Sequence, residues 1–387
     1  MSYSGLAKGL AERLVNAKFA SGKPWMLTFA IMLAAVIPSL FLHPIITIVI
    51  VLDICINIFN ELGISKTSKW PMSVMIMVVV CAIFAQMVMP FQMAVATDYG
   101  ILAGMSGGQF TFNMCAAQHM GANALMLIIM CVVMFLFIRV ICKEKDIEAV
   151  YAYKAPEHQE PFTWNQRAAV IVLICFVICL LLPLVLPKGS AIYRVMNDVG
   201  TTGFSFLFVG VALAIFKKDG TPFVTMRKIA EVGVNWELIV MMLAINGVCN
   251  CMTSETTGIT SWLNTILMPM VSNMSGWGVY AILVLFALIA TNLTDCIAVA
   301  FVMIPVVFTL TTALDLSTLG FLCWVTRACG IGIWLPAASP HIAMLYGKTG
   351  SGYIARKNIL VYTLPIIVIY AVLSLTFGWW TVSWFPA

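Results

Sequence analysis

Thr291-Asn292-Leu293-Thr294-Asp295 interrupts an otherwise apolar run from 276 to 313, and Pro38-Ser39-Leu40-Phe41-Leu42-His43-Pro44 interrupts another from 25 to 59. Each run holds 35 residues or more, whereas a straight membrane-spanning helix needs about 20. Such a segment is two full spans, one kinked span, or a hairpin that returns to its own side. Further apolar segments fall at 70–95, 121–142, 165–187, 191–216, 236–252, 317–345 and 358–380. With 62% hydrophobic and 10% charged residues, the chain reads as an all-α polytopic membrane protein. The net charge of +5 is small and dispersed, so it argues against a nucleic-acid partner. The bilayer is the expected surrounding.

Charge decides among the three topologies. With both long segments taken as hairpins and the N-terminus inside, the inner stretches carry Lys8, Arg13, Lys18, Lys23, Lys66, Lys69, Arg139, Lys143, Lys145, Lys154, Arg167, Lys217, Lys218, Arg227, Lys228, Lys348, Arg356 and Lys357. The outer stretches carry only Lys188 and Arg194, and Arg327 is intramembrane. That asymmetry obeys the positive-inside rule and places the protein in a cell membrane with a cytoplasmic N-terminus. Single kinked crossings would put Lys66 and Lys69 outside. Two spans per segment keep the same parity but leave arms of roughly 14 residues, short of the ~20 a crossing needs, so re-entrant hairpins are preferred. Backbone at membrane depth is tolerated only where it lines a cavity, so both tips point to a site. The first 25 residues, with Lys8, Arg13, Lys18 and Lys23 around Leu6, Leu10 and Leu14, read as an amphipathic helix on the membrane surface rather than a signal peptide.

The pattern repeats. Residues 4–59 align with 257–312 at an offset near 253, bringing Trp25 close to Trp277 and Pro38-Ser39-Leu40 onto Thr291-Asn292-Leu293. The Pro90 break in 70–95 matches the Pro336/Pro340 break in 317–345, and one more span follows each. The expected organisation is a first repeat at 1–142, N-terminally incomplete, a cytoplasmic linker at 143–164, and a second repeat at 165–387. Because one hairpin opens from the inside and the other from the outside, the repeats are inverted, as in secondary transporters that bind at the midplane. The second copy has three spans before its hairpin and the first has none, which suggests absent or truncated N-terminal spans.

Ser261-Trp262-Leu263, the tip Ala290-Thr291-Asn292-Leu293-Thr294-Asp295, Met303-Ile304-Pro305 and Leu335-Pro336-Ala337-Ala338-Ser339-Pro340-His341 resemble the divalent anion:sodium symporter family of the ion transporter superfamily. The resemblance covers most of 165–380 and, more faintly, 20–142. It implies a sodium-coupled carrier of di- or tricarboxylates, assembled as a homodimer. In that family Ser-Asn-Thr at each hairpin tip and a Thr-Pro-Pro-type break beside it hold substrate carboxylate and sodium. Here the second tip reads Asp295-Cys296-Ile297 and the first Phe41-Leu42-His43, while the breaks read Ala338-Ser339-Pro340-His341 and Met89-Pro90-Phe91-Gln92.

The candidate substrate and ion ligands are therefore Ser39, His43, Pro90, Gln92, Thr291, Asn292, Thr294, Asp295, Ser339, Pro340 and His341, with a sodium site at Thr291, Asn292 and Asp295. Asp295 is the sharpest of them, because a carboxylate at membrane depth normally faces a cavity; a proton there could replace sodium. Its structural alternative is to cap the helix that starts at 296. Asp53 and Arg327 also lie in apolar runs, as counter-ions to each other or to the site, and Arg327 could attract an anion. No resident cofactor is implied: Gly104-Met105-Ser106-Gly107-Gly108 lacks the strand and Lys of a phosphate loop, and most cysteines sit inside apolar runs as small fillers. The competing functions are a cation/proton antiporter, favoured by Asp295, Asp53 and His43, and a non-transporting truncated membrane protein. No Gly-x-Ser-x-Gly or His-Glu-x-x-His motif supports an enzyme.

Overall fold

The computed structural model describes residues 5–156, 161–187, 190–215, 220–233 and 273–386, with isolated residues between 234 and 272. The expected span at 236–252 (residues 240 and 247 apart), the Ser261-Trp262-Leu263 motif and Lys188, Lys217 and Lys218 lie outside them. The protein is helical, with no β-strand among the described residues. Seven of their helices are long and apolar enough to cross a membrane. This is a multi-pass membrane protein.

Each interrupted run forms two helices joined by a two-residue turn. The first is α2 (Pro24–Phe41) and α3 (Pro44–Glu61) around Leu42-His43. The second, described below as α9 (Gly276–Leu293) and α10 (Cys296–Ala313), turns at Thr294-Asp295. Pro44 at the first position of α3 explains the abrupt restart: its ring presets φ and its missing N–H is not needed there. Pro38 and Ser39, expected in the break, lie inside α2 instead. Thr291 and Asn292 likewise belong to the last turn of α9. All four arms are 18 residues long, about 27 Å at 1.5 Å per residue. The estimate of roughly 14 residues per arm is therefore corrected, and arm length alone does not exclude two crossings.

Before the first hairpin, α1 (Leu6–Val15) packs on α2 and α3, with Ala11 and Val15 in the main core and Leu6 in a separate cluster with Ala169 and Phe223. After it comes a broken pair, α4 (Lys69–Gln86) and α5 (Met93–Met105). Every residue from Trp70 to Gln86 is buried, which fits a helix apolar all round. Next come α6 (Ala116–Ile141), α7 (Trp164–Val185) and α8 (Ala191–Ala214). The second hairpin is followed by its own broken pair, α11 (Thr318–Gly330) and α12 (Pro340–Gly347). The last helix, α13 (Arg356–Leu373), runs through a π turn at Ser374–Gly378 into Trp379–Val382. On the outer faces of α6 and α13, Leu125, Ile128, Val132, Leu136 and Val140, and Val361, Leu364, Val368 and Val372, stay exposed. Their spacing of three or four residues makes stripes suited to lipid.

The same order of hairpin, broken helix and long helix thus occurs twice, with matching arms offset by 252 (24 to 276, 44 to 296). Packing repeats as well: α2 and α3 meet α4 as α9 and α10 meet α11. The second halves of the broken helices then exchange, α5 packing on α10 and α12 on α3. This exchange brings both turns and both breaks together.

The second break is drawn tight at Gly332. A Cβ there would lie 2.5 Å from the carbonyl oxygen of Ala338 and 2.9 Å from its carbon. Gly332→Ala should therefore lower stability by about 1–3 kcal/mol, read as a lower thermal midpoint of purified protein. Gly100→Ala, with nothing within 4 Å of the new methyl, should be neutral or slightly stabilising.

Candidate functional site

A broken helix frees backbone groups that lipid cannot satisfy. In the second half, Asn292 does most of this work. Its Oδ1 accepts from the N–H of Ile333 and of Trp334, both at 3.0 Å, and its Nδ2 donates to the carbonyls of Leu288 and Ile331, both at 2.8 Å. Thr291 Oγ1 donates to the carbonyl of Cys329 at 2.6 Å. Ser339 Oγ donates to the Gly332 carbonyl at 2.6 Å and accepts from the Ile342 N–H. In the first half Gln92 plays the corresponding part: its Nε2 faces the carbonyls of Ser39, Leu40 and Leu42 at 2.9, 3.0 and 3.2 Å. Thr291, Asn292, Ser339 and Gln92 are thus spent on stitching each turn to the neighbouring break.

Asp295 takes the structural alternative. Its Oδ1 accepts from Ile297 and Ala298 N–H at 2.9 and 3.0 Å, capping α10. Thr294 is exposed and donates back to the Ala290 carbonyl. In this structure the hydroxyl of Thr291, the amide of Asn292 and one carboxylate oxygen of Asp295 are all engaged with backbone. Ser39 is buried with no hydrogen-bond partner for its hydroxyl. Pro90 lies in the first break without lining the space described next.

Where the turns and breaks converge there is a cavity of ≈ 170 Å³. His43 and Ile45, Met93 and Ala94, Cys296 and Ile297, and Pro340 and His341 line it, together with Asp98 and Arg327. Those four pairs mark the N-termini of α3, α5, α10 and α12. Four helix N-termini face one space. The α10 end is compensated by the Asp295 carboxylate. The other three, without an acidic cap, make the space attractive to negative charge, because each end carries about half a positive charge. Both ring nitrogens of His341 lack a hydrogen-bond partner.

The cavity also holds a buried ion pair. Arg327, in the last turn of α11, donates from Nη2 to Asp98 Oδ2 on α5 at 3.1 Å, and the two side chains are 2% and 7% exposed. Its Nη1 donates to the Met87 carbonyl at 3.3 Å, while Nε has no partner. The expectation that Arg327 and Asp53 pair with each other is corrected. Asp53 pairs with Lys348 instead, at the junction of α3 with the end of α12.

Met87, released where α4 ends, accepts a second bond from His119 Nε2 at 3.1 Å. A carbonyl can only accept, so Nε2 carries the proton and Nδ1 is left to accept from Tyr99 Oη, 3.0 Å away. The positioning of Arg327 therefore reaches back to α6. The sequence reading missed Asp98 because it ended the segment at 95. The helix runs on to Met105, since Arg327 neutralises the carboxylate that interrupts its apolar sequence. The available signal was Arg327 itself, an intramembrane cation in need of an acid.

Fold and cavity together define a polytopic α-helical membrane protein with an internal site favourable to anions. The chain belongs to the citrate transporter family (CitMHS), whose model matches residues 1–326. That places it with secondary transporters of carboxylate anions in the ion transporter superfamily, in agreement with the resemblance at that level. No curated protein matches the chain.

Asn292→Ala would leave the Ile333 and Trp334 N–H groups unpaired in a water-poor interior. It should cost about 2–4 kcal/mol, whereas Thr294→Ala should stay within about 0.5 kcal/mol. Thermal unfolding of the two variants in detergent measures the difference.

Proposed function

We propose that this protein is a secondary active symporter for a di- or tricarboxylate, with citrate the first substrate to test, working in the cell membrane with its N-terminus in the cytoplasm. One observation carries the reading: three helix N-termini without an acidic cap and the guanidinium of Arg327 share a single cavity. Two or three carboxylates on one small molecule can engage several of these positive ends at once. A monocarboxylate can engage fewer, so the site favours polyanions.

The alternation of the same elements supports inverted repeats with re-entrant hairpins, each turn entering from its own face. Exchange of α5 and α12 between the halves couples them, so hairpins and broken helices can move as a body against the remaining helices. The driving ion is a proton or sodium, and a homodimer, as the resemblance implies, would supply the stationary frame. The cation/proton antiporter reading draws less support. Asp53 and Asp295, two of the residues it relies on, are absent from the cavity lining.

Purified full-length protein in liposomes loaded with citrate or succinate should show counterflow of the labelled compound, and none with acetate. Absence of counterflow with every di- and tricarboxylate tested would overturn the reading and favour a non-transporting protein. Arg327→Lys keeps the charge but loses the planar fork. It should raise KM by about tenfold or more, equivalent to about 1.4 kcal/mol.

A further inference from the structure

We infer that the face bearing α1 carries a second anion site, which holds the phosphate of an anionic phospholipid whose chains lie along α6. A cavity of ≈ 220 Å³ opens there, between the turn that leads into α4 and the chain just beyond α6. Lys69, Lys143 and Lys145 line it, together with Ser65, Thr67 and a single acid, Asp146. It shares no lining residue with the central cavity, so it stands whichever anion the protein carries.

Asp146 is taken up by the backbone. Its Oδ1 accepts from the Lys69 N–H at 3.1 Å and its Oδ2 from the Lys143 N–H at 2.9 Å. Its carbonyl accepts from Ser68 Oγ at 2.9 Å. These bonds hold the start of α4 and the end of α6 side by side, and so gather the lysines. Among the described residues, none of the three lysines is in an ion pair. Glu144, next to Lys143 in the chain, does not line the cavity. Three positive charges against one negative leave a net charge of +2 in the lining. A phosphate group offsets that excess with charge-assisted hydrogen bonds. It can also accept from the hydroxyls of Ser65 and Thr67, which lie 2.8 Å apart at exposed positions.

The surface of α6 decides between a lipid and a dissolved anion. Its outward apolar stripe runs from Leu125 to Val140, and Val140, 83% exposed, stands three residues before Lys143. At 1.5 Å per residue the stripe is about 22 Å long, more than the ~15 Å depth of hydrocarbon in one leaflet. At the same end the guanidinium of Arg139 stands over the Trp25 ring, 5.6 Å from its centre. Trp beside a cationic side chain is the chemistry of the membrane–water interface. A phospholipid lying on this stripe delivers its headgroup to the three lysines, as in other basic pockets at the ends of membrane helices. A dissolved phosphate would use the cavity and leave the stripe idle. Because the cavity joins the base of the first hairpin to the end of α6, its occupant ties those two elements together.

Lipid titration of purified full-length protein in a neutral detergent tests this. Phosphatidylglycerol should raise the thermal midpoint saturably, and phosphatidylcholine should not. Glycerol 3-phosphate, the same phosphate without chains, should need a concentration higher by at least about tenfold. The triple variant Lys69→Gln, Lys143→Gln, Lys145→Gln should weaken the response to phosphatidylglycerol by at least about tenfold. Lys18→Gln, Lys23→Gln, Lys154→Gln removes the same charge at exposed positions near the end of α1 and should leave the response unchanged. Equal action of phosphatidylcholine, or equal losses in the two triple variants, overturns the site. Glycerol 3-phosphate acting as well as the lipid overturns the lipid assignment in favour of a dissolved anion. On wild type, phosphatidylglycerol with a photoreactive headgroup should attach within residues 65–69 or 143–146, located by peptide mass spectrometry. Attachment elsewhere overturns the inference even if the pocket variant does not fold.

Discussion

Backbone polar groups set free inside a membrane must find partners within the protein, and the architecture of this chain follows from that requirement. Two turns and two helix breaks each release N–H and C=O groups where no lipid can receive them. Gln92 gathers three carbonyls at the end of α2, and Asn292 bridges four backbone groups between α9 and the second break. Thr291, Ser339 and the Cys296 N–H, which donates to the Ala338 carbonyl at 3.0 Å, complete the stitching. Because each turn is tied to a neighbouring break, the pieces cannot be placed independently.

That constraint also creates the site. Every break has a helix beginning on its far side, and the exchange of α5 and α12 turns all four beginnings toward one space. Their combined positive ends would repel a lone arginine. Asp98 offsets that repulsion and, with the Met87 carbonyl, lets Arg327 stay charged and buried. His119 and Tyr99 hold that carbonyl from behind. Binding chemistry and packing are thus the same set of contacts seen from opposite sides.

Much of this was legible in the chain. The two over-long apolar runs and their polar interruptions marked the two helix–turn–helix pairs, Pro90 and Pro336/Pro340 marked the breaks, and the offset near 253 marked the repetition that the helices show at 252. Side-chain direction was not legible. Asn292, Thr291 and Ser339 carry the groups an ion ligand needs, but those same groups serve equally well to repair a broken helix, and composition cannot separate the two uses. Asp295 fits a helix cap as well as a binding site, and the structure has it capping. Asp98 escaped notice for the converse reason. Hydropathy treats an acid as the end of a span, whereas a partner more than 200 residues away makes it a member of one. His43, Pro340, His341 and Arg327, singled out in the sequence beside the breaks and in an apolar run, all line the cavity.

The central claim is that the space between the two turns and the two breaks receives the substrate. Cys296, at the start of α10, lines that space and supplies a native reporter. The rate at which N-ethylmaleimide modifies it can be followed by mass spectrometry of its peptide, with and without saturating citrate or succinate. The account predicts slower modification of Cys296 with substrate present and an unchanged rate at Cys175, exposed on α7. Equal rates at Cys296 in both conditions, with substrate shown to be bound, would contradict it.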